Sequence, residues 1–404
     1  MQKQKAAALD SITLENGLTI YAVKREGFIG AAIAPKVDFG SNDEMPNGYN
    51  RGSAHLLEHV VLDSISKGES KKMGHLAAYT RSEHTIYRET MHMDRMNEGV
   101  DIIGKLLFSP DLSKSTYIQA KKDVVQEVSK GAVKGFYPLT YMPFALYGIK
   151  SIGIDTEEEI NGVSSTDFKT LREMYKKYYT PRNISIGVVS GADTKEVFKL
   201  FREKLGSFEK KYQEPERKPP LYAPSDIHVH LGSEMGEKEA VIVGYGCKSY
   251  SSTNIKENLA MYLIGDILKQ RALSSPPNNT GAVNIQPSLI LSESFGIISA
   301  YAEVKRGSEE KAIEAIIKMF EDIFNNRVTQ HEIDSARDSV MQRFSPNEGN
   351  AEKEALDKAI GMSTAPLLYA HASDVHSISA EDIREYARLF KEEKYGTVTI
   401  DGIS

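Results

Sequence analysis

The segment Ala54-His55-Leu56-Leu57-Glu58-His59-Val60-Val61-Leu62 decides how this chain is read. On a helix, residues four apart stack one turn above the other, so His55 and His59 share a face and can offer two neutral nitrogens to one Zn²⁺. Glu58 reaches the same side and sets a carboxylate beside the two imidazoles. The order H-x-x-E-H is the inverse of the commoner H-E-x-x-H zinc helix. Such a pentapeptide can also arise by chance on a solvated helix face. Its neighbours argue against that, because Ala54, Leu56, Leu57, Val60, Val61 and Leu62 make the helix apolar nearly all round. A buried histidine or glutamate without a partner is costly.

Catalytic zinc commonly takes three protein ligands and leaves one position open, so a third donor is needed. The candidate is Glu127. It lies in the helical run 115–129, whose apolar stripe includes Tyr117, Val124 and Val128, and it borders that stripe. Asp123, one turn earlier, shares its face and is the local competitor. Taken alone, a glutamate on a helix is usually a solvated surface group.

Composition bounds the rest. A chain of 404 residues, 40% hydrophobic and 26% charged, is long enough for two globular domains. A net charge of −6 with no basic cluster disfavours a nucleic-acid partner. One cysteine, Cys247, excludes an intrachain disulfide framework and a cysteine-rich zinc knuckle. The first ten residues have a basic end without a long apolar run, and no stretch approaches a membrane span. These features lead to the expectation of a cytoplasmic protein without membrane partners.

The chain divides near its middle, where 207–220 is charged and proline-rich and suits an extended linker. The expected domains are 1–212, which carries the metal site, and 225–404, which lacks one, joined by 213–224. The halves resemble each other. Val163-Ser164-Ser165-Thr166-Asp167-Phe168 and Ile378-Ser379-Ala380-Glu381-Asp382-Ile383 each place a serine three before an aspartate at the start of an amphipathic helix, as in a capping box. An apolar strand follows each, at 184–189 and 397–400. Strands are also expected at 18–23, 31–37, 241–243 and 295–301, and helices at 97–107 and after Ser308 and Thr329. The mixture is an α+β fold without regular β-α-β alternation or a glycine-rich phosphate loop.

Several ordered segments carry a family resemblance. Val37-Asp38-Phe39-Gly40-Ser41-Asn42-Asp43-Glu44 precedes Gly52-Ser53-Ala54-His55-Leu56-Leu57-Glu58-His59, and Ala78-Tyr79-Thr80-Arg81-Ser82-Glu83-His84-Thr85-Ile86-Tyr87 follows. Val124-Val125-Gln126-Glu127-Val128, then Tyr178-Tyr179-Thr180-Pro181-Arg182-Asn183 and Val188-Val189-Ser190-Gly191, complete the set. In this order they resemble the pitrilysin-like, or M16, metallopeptidases, a family that includes insulin-degrading enzyme and mitochondrial processing peptidase. The resemblance covers most of the first half and, more weakly, the second.

It implies two homologous M16/LuxS-like metallohydrolase domains arranged as half of a clamshell around a chamber. It implies His55, His59 and Glu127 as Zn²⁺ ligands, Glu58 as the base that activates water, and Ala78-Tyr79-Thr80 as a strand that binds peptide substrate by β-augmentation. The expected activity is zinc-dependent endopeptidase cleavage of peptides or small unfolded polypeptides. The alternative is a non-catalytic core or scaffold subunit.

Three departures stand out. Ala120 replaces a family glutamate two turns before the third ligand, and Ala77 an asparagine before the substrate strand. The run 267–284 shows no arginine and tyrosine pair of the kind that grips the substrate carbonyl, and Arg271 is at best a displaced remnant. A complete metal helix beside a defective clamp implies a heterodimer whose second M16-like chain supplies that pair, with a homodimer as the alternative.

Overall fold

The computed structural model describes residues 9–65, 76–134, 139, 141–150, 155–208, 221–231, 238–247, 253–274, 282–292, 295–325, 328–344, 351–366, 369, 371–391 and 394–402. The chain sorts into two compact units, Met1–Ala132 with Asp155–Arg217 and Phe344–Ala370, and Val133–Ile154 with Lys218–Arg343 and His371–Ser404. Each unit therefore takes a piece of chain from the far side of the central linker.

The first unit begins with β1 (Asp10–Thr13), β2 (Thr19–Lys24), β3 (Gly30–Val37), α1 (Ser53–Asp63), β4 (Ala77–Thr80), β5 (Thr85–His92), α2 (Met96–Phe108) and α3 (Lys114–Lys134). After α4 (Tyr141–Tyr147), which belongs to the second unit, it resumes with α5 (Thr156–Ser165), α6 (Phe168–Tyr178), β6 (Ile184–Ser190) and α7 (Thr194–Leu205). The second unit contains β7 (Asp226–Leu231), β8 (Lys238–Cys247), α8 (Ile255–Ser274), β9 (Ala282–Leu291), β10 (Gly296–Lys305), α9 (Glu309–Phe324) and α10 (Gln330–Phe344). The helix α11 (Ala351–Thr364) returns to the first unit, and α12 (Ala380–Lys391) and β11 (Tyr395–Gly402) complete the second.

Apart from the extra edge strand β1, the two sheets run in the same order. The first is β1-β2-β6-β3-β5-β4 and the second β7-β11-β8-β10-β9. In each, the strand after the capped helix pairs parallel to the first strand of the shared pattern and antiparallel to the next, β6 with β2 and β3, β11 with β7 and β8. The fold is α+β, as expected, and the matching strand orders are what a duplicated unit requires.

The repeated helix start is built differently in its two copies. At α12, Ser379 and Asp382 bond each other's backbone amides in a reciprocal box. At α6, Asp167 itself is the cap and accepts from the Thr170 amide, because α5 runs through Ser164 and leaves only Thr166 and Asp167 between the helices. Thr329 and Glu332 do form the expected box at α10.

β3 is buried along its whole length because both sheet faces are covered. Ala31, Ile33 and Val37 face a core shared with Leu56, Leu57, Val60 and Val61 of α1, while Ala32 and Ala34 pack with Ala355, Ala359 and Met362 of α11. Pro35 has no N–H to offer, and the β3–β5 register skips Ala34 and Pro35. On the α11 side, a Cβ at Gly187 would lie 1.9 Å from the Ala359 carbonyl oxygen, so helix and sheet approach closely only because β6 carries glycine there. No helix among the described residues is long and apolar enough to cross a membrane.

Candidate metal centre

α1 brings the two histidines together as its spacing requires. Their ring centroids lie 4.9 Å apart with planes at 71°. His55 is buried and His59 partly so. Glu127 arrives from α3, with Oε1 3.8 Å from His55 Nε2 and Oε2 3.3 Å from His59 Nε2. The donor atoms of His55, His59 and Glu127 all fall within 4.8 Å of one another, the only such group of three among the described residues. Donors about 2.0–2.2 Å from a tetrahedral zinc stand a little over 3 Å apart, so two nitrogens and a carboxylate at these separations fit the ion. Asp123 instead accepts from Gln119 Nε2 on α3.

Glu58 lies close enough to His55, His59 and Glu127 to feel their charges but is not one of the three converging groups. Thr80 Oγ1 on β4 donates to Glu58 Oε2 at 2.7 Å. Burial pushes the Glu58 carboxyl above its ordinary pKa, against the pull of His55, the Thr80 hydroxyl and His59. For His55, burial pulls the pKa down, but Glu159, Glu58 and Glu127 outweigh it and the net shift is upward. The field that makes this imidazole hold a proton also favours a divalent cation. Glu127 keeps its carboxyl below the usual range, chiefly through its hydrogen bond with His59. Its side chain is 61% exposed, so this ligand stands at the solvent side of the site.

Two supporting residues escaped the sequence reading. Glu159 on α5 is buried and sets Oε1 3.5 Å from His55 Nδ1, the nitrogen that faces away from the ligand cluster. A carboxylate behind a ligating histidine fixes its tautomer and orientation. Ala120, where the family places a glutamate, is fully buried in the core, and the carboxylate behind His55 comes from another helix. Glu159 sits in the acidic run Glu157-Glu158-Glu159, and nothing in the sequence distinguishes it from its less buried neighbours.

Glu44 is the second. α1 starts at Gly52, which has φ +79° and offers no capping side chain. Glu44 replaces the cap from a distance, accepting from the Ala54 amide at 2.8 Å and the Gly52 amide at 3.1 Å. A Cβ at Gly52 would also meet Val163 Cγ2 at 2.6 Å and Glu159 Cγ at 2.9 Å. Glycine at this position thus permits both the turn into the metal helix and the approach of α5 that delivers Glu159.

Among the described residues, the strand Ala78-Tyr79-Thr80 is an edge strand of its sheet. The Arg81 amide donates to the His84 carbonyl. Antiparallel alternation then turns the backbone groups of Tyr79 toward β5 and those of Ala78 and Thr80 toward the open edge. Arg271, at best a remnant of the arginine and tyrosine pair, is occupied within its own unit, with Nε 2.7 Å from Glu332 Oε1 and a second contact to Oε2 at 3.3 Å. Residues 275–281 of the clamp region, and 209–220 of the linker, lie outside the described residues.

Comparison with known proteins identifies the family. Residues 29–134 match the model described as insulinase, peptidase family M16, and residues 166–340 the one described as peptidase M16 inactive domain. The chain is 20% identical over 347 residues to the mitochondrial-processing peptidase subunit beta of Caenorhabditis elegans, covering 81% of this chain and 74% of that one. It is 26% identical over 215 residues to the uncharacterized zinc protease YmxG of Bacillus subtilis, covering 49% and 50%. For most of the curated relatives the match spans about half their length or less. The crystal structure of a protease from Helicobacter pylori superposes with a TM-score of 0.78 at 16% identity, covering 98% of this chain and all of that one.

Proposed function

The chain belongs to the M16 peptidase family, and on that premise we propose that it is a zinc-dependent endopeptidase acting on peptides or small unfolded polypeptides. One observation carries the reading: His55, His59 and Glu127, drawn from two helices, converge while the neighbouring Glu58 stays outside that group and accepts a hydrogen bond from Thr80.

His55, His59 and Glu127 would hold the metal, and Glu159 would orient His55. When bound, Zn²⁺ would acidify a water molecule and polarise a peptide carbonyl. Glu58 takes the proton from the attacking water and passes it to the leaving amine nitrogen. Its raised pKa suits both halves of that transfer, since a carboxylate reluctant to stay ionised is the stronger base. A substrate strand laid along β4 would bond to the outward backbone groups of Ala78 and Thr80, which brings its peptide groups beside Glu58.

The carbonyl clamp is assigned to a second M16-like chain in a heterodimer, with the homodimer as alternative. The engagement of Arg271 by Glu332 supports this, because an arginine already bonded through two nitrogens has little left for a substrate carbonyl. Mixing the chain with its partner should restore cleavage, and full activity from the isolated chain would remove the need for one.

The competing reading is a non-catalytic core subunit, favoured by the match of 166–340 to the inactive-domain model. Metal analysis with Glu58→Gln separates the two. The enzyme holds one zinc per chain in both forms and loses cleavage by at least about 100-fold in the variant. A core subunit holds little zinc, and its cleavage does not depend on Glu58.

A further inference from the structure

The edge strand β4 presents a second chemistry on the face turned away from Glu58. Ala78 pairs with Tyr87 and Thr80 with Thr85 on the metal face, while Tyr79 opposite Ile86 and Ala77 opposite Arg88 lie on the other. There two guanidinium groups lie within reach of the Tyr79 ring, Arg81 at 5.0 Å and Arg88 at 6.0 Å from its centroid.

Neither arginine forms an ion pair among the described residues. Asp357 on α11 is an acid whose charge reaches Tyr79, and it is not paired with either guanidinium. Burial keeps the Tyr79 hydroxyl protonated, so the ring is a neutral platform beside two cations. The turn that carries Arg81 is fixed. Its carbonyl accepts from the Ser41 amide, and Gly40 packs so closely beneath it that a Cβ there would lie 2.4 Å from the Arg81 oxygen.

We propose that Tyr79, Arg81 and Arg88 form a carboxylate-binding subsite that selects substrates with an acidic side chain at the residue paired with Tyr79. The inference rests on the peptidase reading above and specifies its substrate class. A peptide added to β4 alternates its side chains between the two faces, so the residue opposite Tyr79 points away from Glu58 and toward the guanidiniums. Because the Tyr79 backbone groups bond to β5, that pair is a non-hydrogen-bonded one, whose side chains approach most closely. Two planar guanidiniums with ten N–H donors between them match a carboxylate and offer little to an apolar side chain. Thr80 is adjacent and bonded to Glu58, which puts the selected residue within a position or two of the cleaved bond.

The test uses the zinc-loaded full chain, with its partner where one is required, and C-terminally amidated quenched peptides in which each position in turn is Glu or Gln. The expected result is a preference for Glu of about three- to five-fold in kcat/KM at one position flanking the cleaved bond, weakening in about 0.5 M salt. In Arg81→Gln/Arg88→Gln the ratio falls to about 1, and Arg81→Gln alone, on an exposed side chain, gives a partial loss.

Anisotropy of the same labelled peptides on the Glu58→Gln protein reads the subsite without turnover. A Glu preference in binding with no cleavage by the unsubstituted protein faults the peptidase reading and supports the subsite. Equal treatment of Glu and Gln in both measurements, or a preference that survives the double substitution, overturns it. So does a preference seen only for peptides with a free C-terminal carboxylate, which would assign the arginines to a chain end instead.

Discussion

Thr80 Oγ1 and Glu58 Oε2 are joined by a 2.7 Å hydrogen bond between the sheet edge and the metal helix. The strand proposed to carry substrate is thereby tied to the base proposed to cleave it. Replacing Thr80 by Val removes a donor to a buried carboxylate, an interaction of about 1.5–3 kcal/mol. Cleavage should fall by roughly 10- to 100-fold in kcat. The hydroxyl holds the Glu58 pKa down against burial, so its loss raises that pKa. The acidic limb of the rate profile then moves to higher pH, and Thr80→Ser restores both. An unmoved limb in Thr80→Val would show that the bond does not tune the base.

In the proposed metal site Glu159 would act only through His55, and Glu127 directly. Glu159→Gln should weaken zinc binding by about 10- to 100-fold, as loss of outer support to a ligand does. Glu127→Gln removes a charged donor and should weaken it further. Competition with a chromogenic chelator ranks the two, and equal retention by all three proteins would count against the ligand assignment.

Glu44 makes stability depend on pH. Burial pushes its carboxyl up to about 8, against the bonds from the Ala54 and Gly52 amides and the charge of Arg51. The folded chain then holds this proton more tightly than the unfolded one, whose carboxyl titrates near 4.5. The contribution is fully present below that unfolded value and is lost as pH rises toward 8. Melting temperature should decline across this interval, and Glu44→Gln should flatten the decline. Parallel curves for the two proteins would place the pH dependence elsewhere.

Gly187→Ala tests the seat of α11. The added methyl would meet the Ala359 carbonyl oxygen at 1.9 Å, a contact that only movement of helix or strand can relieve. A loss of about 1–3 kcal/mol or more is expected in denaturant unfolding. Gly27→Ala, with nothing near its Cβ but φ at +74°, separates the cost of a close approach from that of backbone conformation.

Much of the fold was legible because its signals are local. The apolar run of β3, the stripe of α2 and the Thr329–Glu332 box each depend on residues within a turn or a strand, and each stands within a few residues of its expected place. The capping of α6 was misread for a reason that is also local. Whether Ser164 or Asp167 caps depends on where the preceding helix stops, and an upstream helix of unknown length hides that point.

The sequence by itself determined the metal helix, since 3.6 residues per turn forces His55 and His59 onto one face whatever surrounds them. It also determined the α+β class and the repeated order of elements. Only the tertiary structure brought Glu127 rather than Asp123 to the two histidines, turned Thr80 onto Glu58, set Glu159 behind His55 and laid α11 on the sheet of the first unit. Periodicity fixes directions around one element, whereas which distant elements meet depends on how closely their backbones can approach, and here glycines at 52 and 187 set that distance.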